Sequence, residues 1–255
     1  MNGVPAATAE LIAALGSNSF ADRLLALAAS AIVHDAAALM LFLDDAPPRV
    51  AVDRLKPAER GYLYGDYISG VYLLSPFYRL AKKGPLPRAA RILDIAPEGF
   101  PASEYHRRYF SHIGVVDMIG VLIPAGKDAT VFMSFSRSIG HKRFTAIDVR
   151  HLEKLMPVMA AAVKRHMALP DAAIGKVPKP AAARRLPPRT PVSALTSRES
   201  QVVNLILEGH STKSLAAQLA ISVETVRVHR RHIYAKLDVS SQAELFHWFL
   251  ASRAV

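Results

Sequence analysis

Between residues 170 and 194 the chain reads PDAAIGKVPKPAAARRLPPRTPVSA, with six prolines. Each proline removes an amide donor and fixes φ, so neither a helix nor a paired strand can run through the segment. This constrains the fold more than any other feature. The chain of 255 residues is expected to form two units, residues 1–169 and 195–255, with 170–194 as a linker between them, and each unit can bury its own core. The formal charge of +11 suits a polyanionic partner, but basic chains are common and the distribution says more. Residues 1–169 carry 20 basic and 15 acidic side chains, 170–194 carry 5 and 1, and 195–255 carry 7 and 5. The excess is densest in the linker, where Arg184, Arg185 and Arg189 read as solvated charge. With no cysteine, disulfides, a thiol nucleophile and cysteine-based zinc sites are excluded. The first 30 residues show neither a basic n-region nor a signal cleavage pattern. No apolar run reaches the roughly 20 residues that span a bilayer. A cytoplasmic chain without a membrane partner is expected.

After the linker the sequence is dense in helix signals. In LTSRESQVVNLILEG, Thr196 and Glu199 have the spacing of a capping box, followed by Val202, Val203, Leu205 and Ile206 at helical period, and Gly209 is placed to close the helix. STKSLAAQLA reads as a short second helix capped by Ser211, with Leu215, Ala216 and Leu219 facing inward. A tight turn around Ala220 and Ile221 precedes Ser222, the cap of a third helix, SVETVRVHRRHIYAKL. SQAELFHWFL predicts a fourth, with Ser241 and Glu244 as its capping box and Leu245, Trp248 and Phe249 as its apolar stripe. Four short helices with a tight turn between the middle pair make a helix-turn-helix layout.

On a helical wheel of about 100° per residue, Val226, Ile233 and Leu237 of the third helix share one direction. Arg227, Arg231, Glu224, Ala235 and Val228 spread over the opposite half. An arginine fork matches guanine O6 and N7 or phosphate oxygens, and a valine suits a thymine methyl. Ser222 and Thr225 sit at a helix N-terminus that attracts phosphate. Arg230 falls toward the inner half, so its stem is expected to pack while its head reaches solvent or phosphate. His210, His229, His232 and His247 lack metal-site spacing with a third partner, so no metal site is expected.

These residues resemble the LuxR-type DNA-binding domain of bacterial transcription regulators. The matching positions are Leu195, Thr196, Arg198, Glu199 and Gly209, then Leu215, Ala216 and Leu219, then Ser222, Thr225, Val226, Arg227 and His229, and finally Ile233, Lys236 and Leu237. The resemblance implies an all-α module of four helices that docks its third helix in the major groove of double-stranded DNA. It places Ser222, Glu224, Thr225, Arg227, Val228, Arg231 and Lys236 at the DNA, and Leu245, Trp248 and Phe249 in a homodimer contact. RNA polymerase stands as a further partner. Two departures are visible: Ser214 replaces a usual acid, and Asp238 stands where Gly or Asn often ends the recognition helix.

The N-terminal unit reads as an α/β fold. FADRLLALAASAIV predicts a helix, AAALMLFLDD and PRVAVDRL strands, PAERGYLYGDYISGVYLLSPFYRLAKKG helical pieces, and AARILDIA a strand. SEYHRRYF predicts a helix, and VVDMIGVLIPAGKDATVFMSFSRS two strands joined by a turn at Ala125 to Asp128. Thr145 and Asp148 cap a long amphipathic helix through Leu152, Leu155, Met159 and Val163. An α/β/α arrangement with a mostly antiparallel sheet resembles GAF-like sensor domains.

Three control devices make demands that the N-terminal residues can meet or fail. A phosphoacceptor receiver would use Asp44, Asp45 and Asp94, but no later Thr and Lys stand in frame, and the aspartates suit turns. YLYGDYISGVYLLSPFY resembles the helix and Asp-Pro corner of acyl-homoserine lactone sensor domains, with Ser75 in place of the Asp. That family's pocket also uses tryptophans, and the only Trp here is Trp248. A GAF-like pocket for another small-molecule effector would use Tyr64, Tyr67, Tyr72, Phe77, Tyr78, Tyr105 and Tyr109 as aromatic walls with polar tips; the same residues would equally complete a core or dimer surface. No cofactor is implied. The expected function is a sequence-specific DNA-binding transcription regulator controlled by its N-terminal domain. The alternative is an enzyme or phosphoacceptor regulator with an appended DNA-binding module. No catalytic motif is present to specify such an enzyme: there is neither a Gly-rich phosphate loop nor a Gly-x-Ser-x-Gly elbow.

Overall fold

The computed structural model describes residues 3–44, 46–68, 70–96, 99–103, 105–170, 172–174, 195–207, 210–242, 244–245 and 248. Most of the expected linker, Gly209, Asp45, His247 and Phe249 lie outside the described residues.

Apolar runs in the N-terminal part form the middle of a five-stranded sheet ordered β2-β1-β5-β4-β3: β1 (Ala36–Leu43), β2 (Arg49–Arg54), β3 (Arg88–Arg91), β4 (Val115–Pro124) and β5 (Ala129–Ser138). Every adjacent pair is antiparallel. A receiver fold places its acids at the ends of parallel strands, and this sheet offers no such ends. Asp44 instead pairs with Lys82, and Asp94 with Arg91 at 2.6 Å.

Both faces of the three central strands are covered, which is why β1, β4 and β5 read as nearly continuous apolar runs. Side chains alternate between the faces. Leu39, Leu41, Val121, Ile123, Met133 and Phe135 face α1 (Val4–Ala13), α2 (Phe20–Ala29) and α6 (Ala146–Met167), packing with Phe20, Leu24, Leu152, Met159 and Val163. Met40, Phe42, Leu122 and Phe132 face the other layer, which includes α3 (Pro57–Tyr62), a π-helix (Leu63–Tyr67), a 3-10 turn (Val71–Leu74) and α4 (Pro76–Lys83). The result is the expected α/β/α sandwich with an antiparallel sheet.

The hairpin β4–β5 closes at the expected turn, with the Ala125 amide donating to the Ala129 carbonyl at 2.9 Å. Thr145 and Asp148 form the expected capping box of α6: Ile147 N donates to Thr145 Oγ1 at 3.2 Å and Thr145 N to Asp148 Oδ2 at 2.7 Å. Gly120 of β4 is required by packing, because a Cβ there would stand 2.4 Å from the Phe77 ring and 2.8 Å from that of Phe132.

Two expectations needed correction. AARILDIA is a strand only as far as Arg91; β3 is a short edge strand, and the chain then turns into α5 (Ile92–Ile95), burying Ile92 while Arg91 Nε reaches Asp94 Oδ2 at 2.8 Å. SEYHRRYF does not form an α-helix: His106–Phe110 is π-helical, with Ser111 N donating to the His106 carbonyl at 2.8 Å. Together with Leu63–Tyr67 it brings Tyr67 and Tyr109 to a ring separation of 4.9 Å. Such wide turns recur at functional sites.

The C-terminal part contains α7 (Ser197–Leu207), α8 (Thr212–Leu219) and α9 (Val223–Leu237), followed by helical residues at 242, 244–245 and 248. Val202, Val203, Ile206, Leu215, Ala216, Val226, Ile233, Leu237 and Leu245 are buried at the expected positions, while Leu205 and Leu219 are half-buried. No helix among the described residues is long and apolar enough to cross a membrane.

Candidate functional site

The turn before α9 fixes the direction of the helix. Ala220 ends α8 in a left-handed conformation at φ 51°, and Ile221 N donates back to the Ala216 carbonyl at 3.0 Å. Ser222 then caps α9, its Oγ accepting from Thr225 N at 3.0 Å, and Ser211 caps α8 in the same way from Ser214 N at 3.2 Å. Ser214, the replacement for a usual acid, bonds His210 Nδ1 at 2.9 Å. At the far end Asp238 adopts the left-handed conformation at φ 51°. The strain expected of a non-glycine there is thus accepted, with Val239 N reaching the Tyr234 carbonyl at 3.0 Å.

With Val226, Ile233 and Leu237 turned inward, α9 leaves Glu224, Thr225, Arg227, Arg231 and Ala235 exposed and Val228 half-buried. Arg227 Nη1 touches Glu224 Oε2 at 2.9 Å, both largely exposed. A surface pair of this kind is weak, so the guanidinium can leave it for a stronger acceptor.

Two other cations are occupied within the module. Arg230 does not send its head outward as expected: Nη2 donates to Tyr234 Oη at 2.9 Å and to Gln242 Oε1 at 3.2 Å, and Nη1 to Thr212 Oγ1 at 3.3 Å, joining α8, α9 and the fourth helical segment. Lys236 Nζ bonds Glu199 Oε2 at 2.8 Å. The same oxygen accepts from Thr196 N at 2.8 Å, and Glu199 N returns a bond to Thr196 Oγ1 at 3.3 Å, completing the capping box of α7. The Lys236 ammonium, with the Thr196 amide, holds the buried Glu199 carboxyl down at about 2. Lys236 thus ties α9 to α7 while its side chain stays 39% exposed.

In the fourth segment Ser241 Oγ caps Glu244 N at 3.1 Å, but the Glu244 carboxylate turns to Ser240 N at 2.6 Å rather than to Ser241. Leu245 is fully buried, so it belongs to the module's core and not to a dimer surface, while Trp248 is half-buried.

A second site lies in the N-terminal part. Across the middle of the sheet, Ala36, Ser136 and Met118 form one row, and Ala38, Ser134 and Gly120 the next. The small side chains of Ala36, Ala38, Ser134 and Ser136 leave a hollow under a roof of Leu55, Glu59, Leu63 and Tyr109, enclosing a cavity of about 20 Å³. That is room for about one water.

Beyond Tyr109 lies a buried group of hydroxyls. Tyr105 and Tyr109 stand 5.5 Å apart, and Ser75 lies beside the Tyr67 and Tyr105 phenols. Among the described residues neither Tyr67 Oη nor Ser75 Oγ meets a partner in full hydrogen-bond geometry, although the Ser75 hydroxyl acts on both the Tyr67 and Tyr105 phenols; weakly satisfied groups of this kind are rare in native interiors. Burial pushes the Tyr67, Tyr105 and Tyr109 phenols far above their usual range, so they act as neutral donors.

The expected aromatic walls are distributed differently. Tyr67 and Tyr105 join the hydroxyl group. Tyr72, Phe77 and Tyr78 pack the core, with Tyr72 and Tyr78 edge to face at 5.0 Å. Tyr64 is 51% exposed and bonds Asp53 Oδ2 at 2.9 Å, so it lines no cavity. Burial and the neighbouring Asp53 carboxylate push its phenol up to about 12. Sequence reasoning missed Glu59, Ser134 and Ser136. The one available signal was the pair of serines inside an otherwise apolar strand.

Residues 193–249 match the family model of bacterial regulatory proteins, luxR family. The chain therefore carries the LuxR-type helix-turn-helix domain, and it is a LuxR-type transcription regulator. Over 186 residues it is 27% identical to a protein of Aeromonas salmonicida described as an HTH-type transcriptional regulator in the exeN 3′ region, covering 69% of this chain and 92% of that one. The LBD domain of VqsR from Pseudomonas aeruginosa superposes with a TM-score of 0.53 at 26% identity, over 63% of this chain and 94% of that domain. The oxygen regulatory protein NreC of Staphylococcus haemolyticus is 38% identical over 63 residues, 25% of this chain and 29% of its own length.

Proposed function

We propose that this regulator reads its operator through the exposed face of α9, with Arg227, Val228 and Arg231 at base edges, Glu224 beside them on the same face, and Ser222 and Thr225 positioning the helix against the phosphate backbone. The observation that carries this is the division of α9: Val226, Ile233 and Leu237 buried on one side, Arg227 and Arg231 exposed on the other, behind a Ser222 cap set by the Ala220 turn. Residues 1–169 act as the sensor and dimerisation unit, 170–194 as the linker and 195–255 as the reader. Trp248 is the described residue left for self-association in the reader. The chain works in the cytoplasm as a homodimer, meets RNA polymerase at the promoter and performs no catalytic step of its own.

The sensor takes a small-molecule ligand between the sheet and the α3 layer. The hollow beneath Tyr109, the buried, poorly satisfied hydroxyls of Tyr67 and Ser75 and the likeness to the LBD domain of VqsR support this reading. Arg227→Ala and Arg231→Ala test the reader. Each should cost roughly 1–3 kcal/mol of operator binding and relax preference at one base pair. Equal weakening on all sequences would assign both arginines to phosphate.

A further inference from the structure

The cavity in the sensor has one charged wall. Glu59 is 4% exposed, and among the described residues its one side-chain hydrogen bond comes from Ser136 Oγ at 3.2 Å. Lys56, a cation that acts on it, has its ammonium on Ser138 Oγ at 2.6 Å. Asp35, which also acts on Glu59, adds like charge and is itself held by His141 Nδ1 at 2.6 Å and Ser138 N at 2.8 Å. Burial accordingly pushes the Glu59 carboxyl up. A carboxylate inside a protein is costly unless a cation or several donors meet it, and an apolar side chain would fill this position at less cost.

The surroundings suit a compact cationic group. Ser134 and Ser136 on the sheet and Glu59 on α3 supply acceptor oxygens from opposite walls of a space about as large as one water, which Leu63, Met118 and Tyr109 also line. An ammonium has that size and three N–H donors, matching a carboxylate and two hydroxyls. The adjoining π-helices at Leu63–Tyr67 and His106–Phe110 are the segments that would have to shift to admit a carbon skeleton.

We infer that Glu59 selects a ligand bearing a protonated aliphatic amine, which it binds as an ion pair with the Ser134 and Ser136 hydroxyls completing the cradle. This rests on the reading of the sensor as a small-molecule site. It sets the ligand's class: an amine-headed compound with a short apolar body, in preference to a neutral or anionic one.

The test uses the full chain labelled with 13C at the methionine methyls, since Met40 and Met118 line the cavity. It is titrated separately with hexylamine, hexanol and hexanoate. Hexylamine should shift the Met40 and Met118 methyl signals with an affinity at least about tenfold tighter than hexanol, a step of about 1.4 kcal/mol. Hexanoate should bind weakest, and Glu59→Gln, nearly isosteric, should bring hexylamine and hexanol together. Equal or tighter binding of hexanol or hexanoate to the unaltered chain overturns the inference and leaves the small-molecule site standing. So does an amine preference that survives in Glu59→Gln. If none of the three probes moves either methyl, the cavity is not a ligand site and both readings fall.

Discussion

Lys236→Met separates a tertiary tie from a DNA contact. The substitution keeps an unbranched side chain of similar length and removes the ammonium from Glu199 Oε2, a contact of 2.8 Å to a carboxylate that is 6% exposed. Lowering Glu199 from 4.5 to about 2 would correspond at face value to about 3 kcal/mol of pairing. Lys236 is 39% exposed, so water screens part of that, and Thr196 keeps its bonds to the carboxylate; a loss of about 1–2 kcal/mol is expected. The assay is urea denaturation of the full chain followed by tryptophan fluorescence, because Trp248 is the only tryptophan and reports on the C-terminal module alone. With a slope near 1 kcal/mol per M for so small a unit, the midpoint should fall by about 1 M or more. The sign with pH follows from the lowered carboxyl: the stabilisation is complete above about pH 4.5 and is lost as pH falls toward about 2. The difference between the two proteins should shrink across that window. An unchanged midpoint at neutral pH, or a difference that is constant from pH 6 to 2, would refute the reasoning.

Three further outcomes are expected. Gly120→Ala should destabilise the N-terminal domain by about 1–3 kcal/mol in thermal denaturation, because its methyl meets the Phe77 ring; a neutral change would show that the ring moves freely. His166 is fully buried, stacked on Phe20 at 3.8 Å, with Nδ1 accepting from Gly16 N at 3.0 Å. Burial lowers its pKa, so stability should decline as pH falls below about 6.5, and more steeply than in His166→Gln; parallel declines would exclude that role. Ser222→Ala should cost about 1 kcal/mol by removing the α9 cap, read by the same fluorescence unfolding, and no loss would mean that the turn alone sets the helix.

What was legible in the sequence was what neighbours along the chain decide. Caps at Thr145, Thr196, Ser211 and Ser222 act over two or three residues, and the inward face of α9 follows from helical period alone. The hairpin at Ala125 to Asp128 is likewise local. The strand order was not legible, because pairing β1 with β5 depends on contacts about ninety residues apart. The internal partners of Arg230 and Lys236 were not legible for the same reason: Gln242 and Glu199 lie 12 and 37 residues away. The sensor hollow was missed because it is made by small residues, Ala36, Ala38, Ser134 and Ser136, whereas the sequence draws attention to tyrosines. The π-helices of Leu63–Tyr67 and His106–Phe110 carry no distinct residue pattern and follow from tertiary packing.

The central claim is that the exposed face of α9 reads DNA sequence. Repeated selection of bound duplexes from random DNA by the full chain tests it most directly, run in parallel with Arg231→Ala. The unaltered chain should enrich two related half-sites with guanine at defined positions, centred about one helical turn apart, and Arg231→Ala should lose preference at one position in each. Recovery of no common sequence, or of the same sequence by both proteins at equal strength, would contradict the claim.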